Sequence, residues 1–302
     1  MDRLQAMEIF TRVVETHGFK KAAGILSIPP PTVTKTIKDL EAHLGTQLVI
    51  RTSRRLLLTD AGHAFVAAGR RLLEDLDAAE RTAAGEYQTP RGDLLVTAPI
   101  MFGRIHVTPI VLAFLAVYPQ VNVRVVLADH VIDLVENHVD VAVRIGRLPD
   151  SGLVATRVGD IHWVICASPD YLAARGVPDT PADLAARDCI GFEGLQMVRS
   201  WPFGRGAKSD TVAIKPRFSA NTADAVIAAA VAGLGIARLT SYQAASAIRE
   251  GKLVSLLRGH APDLLPVHLV HTGPPLLPLK MRAFLDFAAP RLKASLTGIA
   301  NI

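Results

Sequence analysis

The stretch from Phe19 to Thr59 constrains this chain more than any other. It holds two short amphipathic segments joined by a triple proline and followed by a basic, apolar tail. The first segment, from about Lys20 to Leu26, puts Ala22, Ala23 and Leu26 on one face. The second, from about Pro31 to Leu44, spaces Val33, Ile37, Leu40 and Leu44 by four, three and four residues, the period of an amphipathic helix. Pro31 suits a first helical turn, where a missing N–H costs nothing. The polar face of that helix carries Thr32, Thr34, Lys35, Thr36 and Lys38, short hydroxyls and lysines that can reach base edges and phosphates in a DNA major groove. Arg51, Arg54 and Arg55 then alternate with apolar residues, as in a hairpin wing lying along the phosphate backbone. A plain solvated helix is the competing reading, and charge argues against it. Between Lys20 and Leu58 seven basic residues face two acidic ones, the footprint of a phosphate-binding surface. The pattern predicts a winged helix-turn-helix.

The residues also carry a family resemblance. MDRLQAMEIFTRVVET, GFKKAA and PTVTKTIKDLEAHLGTQLVIRTSRRLLLTDAGHAF resemble, without a gap, the N-terminus of LysR-type transcriptional regulators. The resemblance implies that Pro30, Pro31, Thr32, Thr34 and Lys35 face DNA, with Arg51 and Arg54 or Arg55 on phosphates. Lys20 and Lys38 extend the basic face. Two departures stand out. Lys20 and Pro29 occupy positions where the family usually has hydroxyl residues, so the helix starts are capped differently here. Thr34–Lys35 replaces a commoner Ser–Arg pair, and lysine cannot make the bidentate guanine contact of arginine.

Before this stretch, Leu4, Met7, Ile9, Phe10, Val13 and Val14 predict a helix over residues 1–18 that packs beneath the two segments. After it, Asp60 to about Glu86 reads as a long helix, with Thr59 as N-cap and Asp60 in the first turn. Phe65, Ala68, Leu72, Leu76, Ala79 and Ala83 form a one-sided seam suited to pairing with a second copy. The resemblance implies the same: a linker helix in a homodimer, with a homotetramer beyond it. Thr89-Pro90-Arg91-Gly92 breaks the helix. The expected division is therefore a DNA-binding domain (1–59), a linker helix (60–89) and a regulatory domain (90–302).

Beyond Gly92 strand-like and helical runs alternate, the helical ones including 102–117, 131–137, 222–232, 241–249 and 280–293. This texture predicts two small α/β subdomains with mostly parallel sheets. One would span 93–166 and 267–302 and the other 167–266, with the chain crossing near Ala167 and returning near Pro266. DLVENHVDVAVRIG, VICASPDYLAARGVP and AGLGIA extend the resemblance over essentially the whole chain. It implies an α+β multidomain protein whose C-terminal part is similar to a periplasmic binding protein, with a small-molecule effector between the subdomains.

In open α/β sheets ligands bind at the carboxyl ends of strands. That rule selects the loop Pro99, Ile100, Met101, Phe102 and Gly103, then Asp129 and His130, then Arg144 and Gly146, and the pair Asn221–Thr222. Plain turn formation or capping is the competing reading at each. The apolar first loop, where relatives often carry a hydroxyl, points to a partly apolar or aromatic effector. No nucleophile elbow, zinc motif or phosphate loop is found, so the reading is a regulator and not an enzyme, with no cofactor and no metal. The two cysteines, Cys166 and Cys189, read as inert structural thiols. No secretory leader and no long uninterrupted apolar run appear, so the chain reads as cytoplasmic and without a membrane partner.

Overall fold

The computed structural model describes residues 2–51, 56–83, 89–192, 199–204, 210–260, 262–273 and 277–298. Two compact units divide the chain, Met1–Gln88 and Thr89–Ile302.

In the first unit α1 (Arg3–Glu15) starts at Asp2, whose carboxylate accepts from the Leu4 and Gln5 N–H groups. It packs with α2 (Phe19–Leu26) and α3 (Pro30–Leu44) around one core of Phe10, Val13, Ala22, Ala23, Val33, Ile37 and Leu40. A hairpin of β1 (Val49–Arg51) and β2 (Leu56–Leu58) follows, antiparallel, with Val49 opposite Leu58. Then comes α4 (Asp60–Ala83). Thr59 caps it as expected: its Oγ1 accepts from the Gly62 N–H at 3.0 Å and donates to the Gln47 carbonyl at 2.7 Å. The opening turns of α4 lie on α1, where Phe65 meets Phe10 edge to face at 5.7 Å.

The second unit runs in chain order through β3 (Gly92–Ala98), α5 (Ile100–Phe102), a π-turn (Gly103–Val107), α6 (Thr108–Val117), β4 (Val121–Leu127), β5 (Val141–Ile145), β6 (Val154–Ile161), β7 (Trp163–Ala167), α7 (Pro169–Arg175), β8 (Asp188–Phe192), β9 (Ser200–Phe203), β10 (Asp210–Ala213), β11 (Lys215–Ala220), α8 (Ala223–Val231), β12 (Ile236–Thr240), α9 (Ser241–Arg249), β13 (Val254–Leu256), β14 (Leu265–His271) and α10 (Leu279–Thr297). Two five-stranded sheets result, ordered β4-β3-β5-β14-β6 and β11-β8-β12-β7-β13. Ile100–Val117 is long and apolar enough by composition to cross a membrane. Phe102, Val107, Val111 and Phe114 from this helix are instead buried in the core of the first sheet.

Three expectations need correction. The sheets are mixed rather than mostly parallel: β3 runs parallel to β4 and β5, but β14 is antiparallel to β5 and β6. The second sheet repeats the mixture, with β7 antiparallel to β12 and β13. The reason is that the chain passes from sheet to sheet along strands, without a crossover helix that would restore a parallel direction. The crossing also lies at His162, before Ala167, because β6 and β7 are separated by that residue alone. Residues 131–137 form turns, not a helix. The Asp133 carboxylate accepts from the Val135 and Glu136 N–H groups, a local bond that competes with helix extension.

Candidate DNA-binding face and effector cleft

The apolar face of α3 is spent on the core, which leaves its polar face outward. Pro30, Pro31, Thr32, Lys35 and Lys38 are exposed, Thr34 is half-buried, and Lys20 on α2 is exposed as well. Among the described residues Lys20, Lys35 and Lys38 enter no ion pair. Their charge is available to phosphate. The start of α3 is unusual. Its cap, Pro29, offers no side-chain bond, and Pro30 and Pro31 remove the first two orphan N–H groups altogether. The Thr32 N–H donates to the Pro29 carbonyl at 2.9 Å. This helix end is satisfied without a hydroxyl cap, and it has no spare N–H in its first turn for a phosphate. Side chains must therefore make the contacts.

The hairpin stands where a wing would. Arg51 lies at the end of β1, opposite Leu56; Arg54 and Arg55 lie outside the described residues. Glu41, which sequence reasoning had counted only as charge, ties helix to hairpin: its Oε1 accepts from the Leu48 and Val49 N–H groups at 2.9 and 3.1 Å. A carboxylate eight residues before a strand gives no signal in the pattern.

On α4 the seam divides. Phe65 and Ala68 are half-buried within their own unit, whereas Leu72 and Leu76 are exposed. The Ala79 and Ala83 side chains lie outside the described residues.

In the second unit the carboxyl ends of β3, β4 and β5 point the same way. The 99–103 segment opens a helix at that edge, not a loop, and helical periodicity turns Met101, Phe102 and Gly103 inward. Met101 is 6% and Phe102 0% exposed, so neither lines an open site, and their apolar character says nothing about the effector. Pro99 and Ile100 remain half-exposed. Asp129 joins them by accepting from the Ile100 N–H at 2.9 Å, and His130 beside it is exposed. From the other sheet, Tyr242 on α9 contacts Phe102 at 5.2 Å and His106 at 5.8 Å. Burial pushes its phenol up to about 12. Asp224, in the first turn of α8 after Asn221 and Thr222, pairs with Arg104 at 2.9 Å. Thr222 is the N-cap residue of α8 without a side-chain bond. Arg144 and Gly146 are half-exposed; Arg144 donates to the Ile132 carbonyl at 2.8 Å, and Gly146, at φ +105°, donates to the Pro266 carbonyl.

Cys166 and Cys189 are both fully buried, and burial pushes each thiol up to about 12. A thiol so placed is neither a nucleophile nor a redox sensor at neutral pH.

A helix-turn-helix with an exposed basic face, joined to a two-sheet α/β unit, defines a DNA-binding regulator with a sensor domain. Comparison with known proteins gives the family. Residues 4–63 match the bacterial regulatory helix-turn-helix of the lysR family, and residues 87–293 match the LysR substrate binding domain. The chain is 32% identical to the transcriptional regulator CrgA of Neisseria meningitidis over 97% of its length and 98% of that protein's. It is 34% identical to a transcriptional repressor of Pseudomonas aeruginosa, covering 95% of this chain and 91% of that one. The solved structure of CrgA superposes with a TM-score of 0.61 at 31% identity, over 95% of this chain and 98% of that one. The chain belongs to the LysR family of bacterial transcriptional regulators. It is a DNA-binding regulator of transcription with an effector-binding domain, and not an enzyme.

Proposed function

We propose that α3 is the recognition helix, with Pro30, Pro31, Thr32, Thr34 and Lys35 toward the bases and Lys20, Lys38, Arg51, Arg54 and Arg55 toward phosphates. The observation that carries this reading is the unpaired, exposed polar face of a helix whose opposite face is fully buried. Two copies pair through the exposed Leu72 and Leu76 of α4, presenting two α3 helices to a two-fold site, and dimers associate further into a tetramer. The effector enters at the carboxyl ends of the strands, lined by Pro99, Ile100, Asp129, His130, Arg144, Gly146, Asn221 and Thr222. It acts only through different affinity for two arrangements of the subdomains. The protein works in the cytoplasm, where its DNA is.

Footprinting on the DNA upstream of its own gene tests the assembly. The expected result is a protected, two-fold symmetric site that Leu72→Glu with Leu76→Glu abolishes. A protected site without symmetry, unchanged in that double variant, would remove the dimer from the reading.

A further inference from the structure

Where the two sheets join, a cavity of about 280 Å³ opens beside both connecting segments, His162 and residues 262–264. Phe203, Leu256, Pro262 and Leu264 give it apolar walls, and Trp163, Arg238 and Arg258 line it as well. The Arg238 guanidinium lies 3.9 Å over the Trp163 ring, so its plane is held by cation–π attraction. Its Nε is buried without a hydrogen-bond partner, and no carboxylate meets the group among the described residues. Burial lowers its pKa only to about 10, so the group stays charged at neutral pH. A desolvated charge without a partner is costly to leave. The other charges nearby do not satisfy it. Arg258 also lines the cavity and has no ion pair among the described residues. Asp263, in an adjoining cavity that shares Trp163, Arg238 and Leu264, is taken by Arg147 at 3.4 Å.

We propose that this cavity is a second ligand site, for a small planar carboxylate. Its carboxylate takes the free edge of the Arg238 fork in two parallel hydrogen bonds, and its apolar body packs against Phe203, Leu256 and Leu264. The site shares no residue with the cleft at the carboxyl ends of β3 and β4. Because both connecting segments line it, an occupant touches the hinge between the sheets directly. It would bias their arrangement without competing for the effector cleft.

Benzoate is the probe. The chain has two tryptophans, Trp163 and Trp201, so intrinsic fluorescence reports on the cavity while calorimetry gives the affinity of the full chain. Saturable binding that quenches the emission is expected. R238Q should weaken it at least tenfold, and L264F, which narrows the rim from a half-exposed position, should weaken it without touching the arginine. L264F decides the matter if R238Q does not fold. No saturable binding, or wild-type affinity in the variants, overturns the proposal.

Discussion

Phe102 and Tyr242 meet edge to face with ring centroids 5.2 Å apart. The contact joins the helix over the first sheet to the start of α9 over the second. Phe102 is fully buried, so removing its ring opens a core cavity as well as that junction. Phe102→Ala is predicted to cost about 3–5 kcal/mol, whereas Leu112→Ala, on the exposed side of the same helix, should stay within about 0.5 kcal/mol. Urea unfolding followed by tryptophan emission, which arises only in the second unit, separates the two.

His106 packs against both rings, its Nδ1 2.8 Å from the Ser295 hydroxyl and its Nε2 buried without a partner. Burial lowers its pKa below the ordinary 6.5. The unfolded chain therefore binds more protons, and stability is complete above pH 6.5 and is lost as pH falls from there toward the folded value. His268 and His271 shift the same way, also chiefly through burial, and add to the slope. The melting temperature should fall on acidification from neutral pH, and His106→Gln should flatten that fall. An unchanged slope in the variant would assign the effect to the other two.

Gly62 approaches the hairpin so closely that an added methyl would collide with the Leu48 carbonyl oxygen. Backbone cannot yield as a side-chain end can, so Gly62→Ala should cost about 1–3 kcal/mol and displace the wing. Gly69→Ala meets the flexible Met7 side chain instead and should cost less. Thermal unfolding by circular dichroism, with DNA affinity measured alongside, would rank them.

The N-terminal unit was legible because its signals are local. Val33, Ile37 and Leu40 mark one face, Pro31 opens the helix, and Thr59 opens the next one; each acts within a turn of where it sits. Phe65 was misjudged because the period that suits a second copy also suits α1, and only tertiary packing against Phe10 decides. The change of sheet at His162 left no trace in composition, since no run of turn-forming residues separates β6 from β7. Met101 and Phe102 read as a loop from the sequence because they follow Pro99 at a strand end. Which way they point depends on a helix beginning at Ile100, which Asp129 stabilises from 29 residues away.

The two cysteines make a simple chemical prediction. With both thiols buried and pushed up to about 12, neither should react with iodoacetamide in the native protein near neutral pH. Both should react once it is unfolded. Labelling of the native chain at either position would contradict their placement in the core strands.

Sequence reading by α3 is tested most directly by binding to the DNA upstream of the protein's own gene, over a salt series with random competitor. Competitor-resistant binding with a steep salt dependence is predicted. Lys35→Ala should narrow the preference for that DNA over random sequence by about tenfold, the loss of one base contact. Lys38→Ala should weaken both alike and reduce the salt slope by about 1. Equal affinity for both DNAs at every salt concentration, with the two variants indistinguishable, would contradict the account.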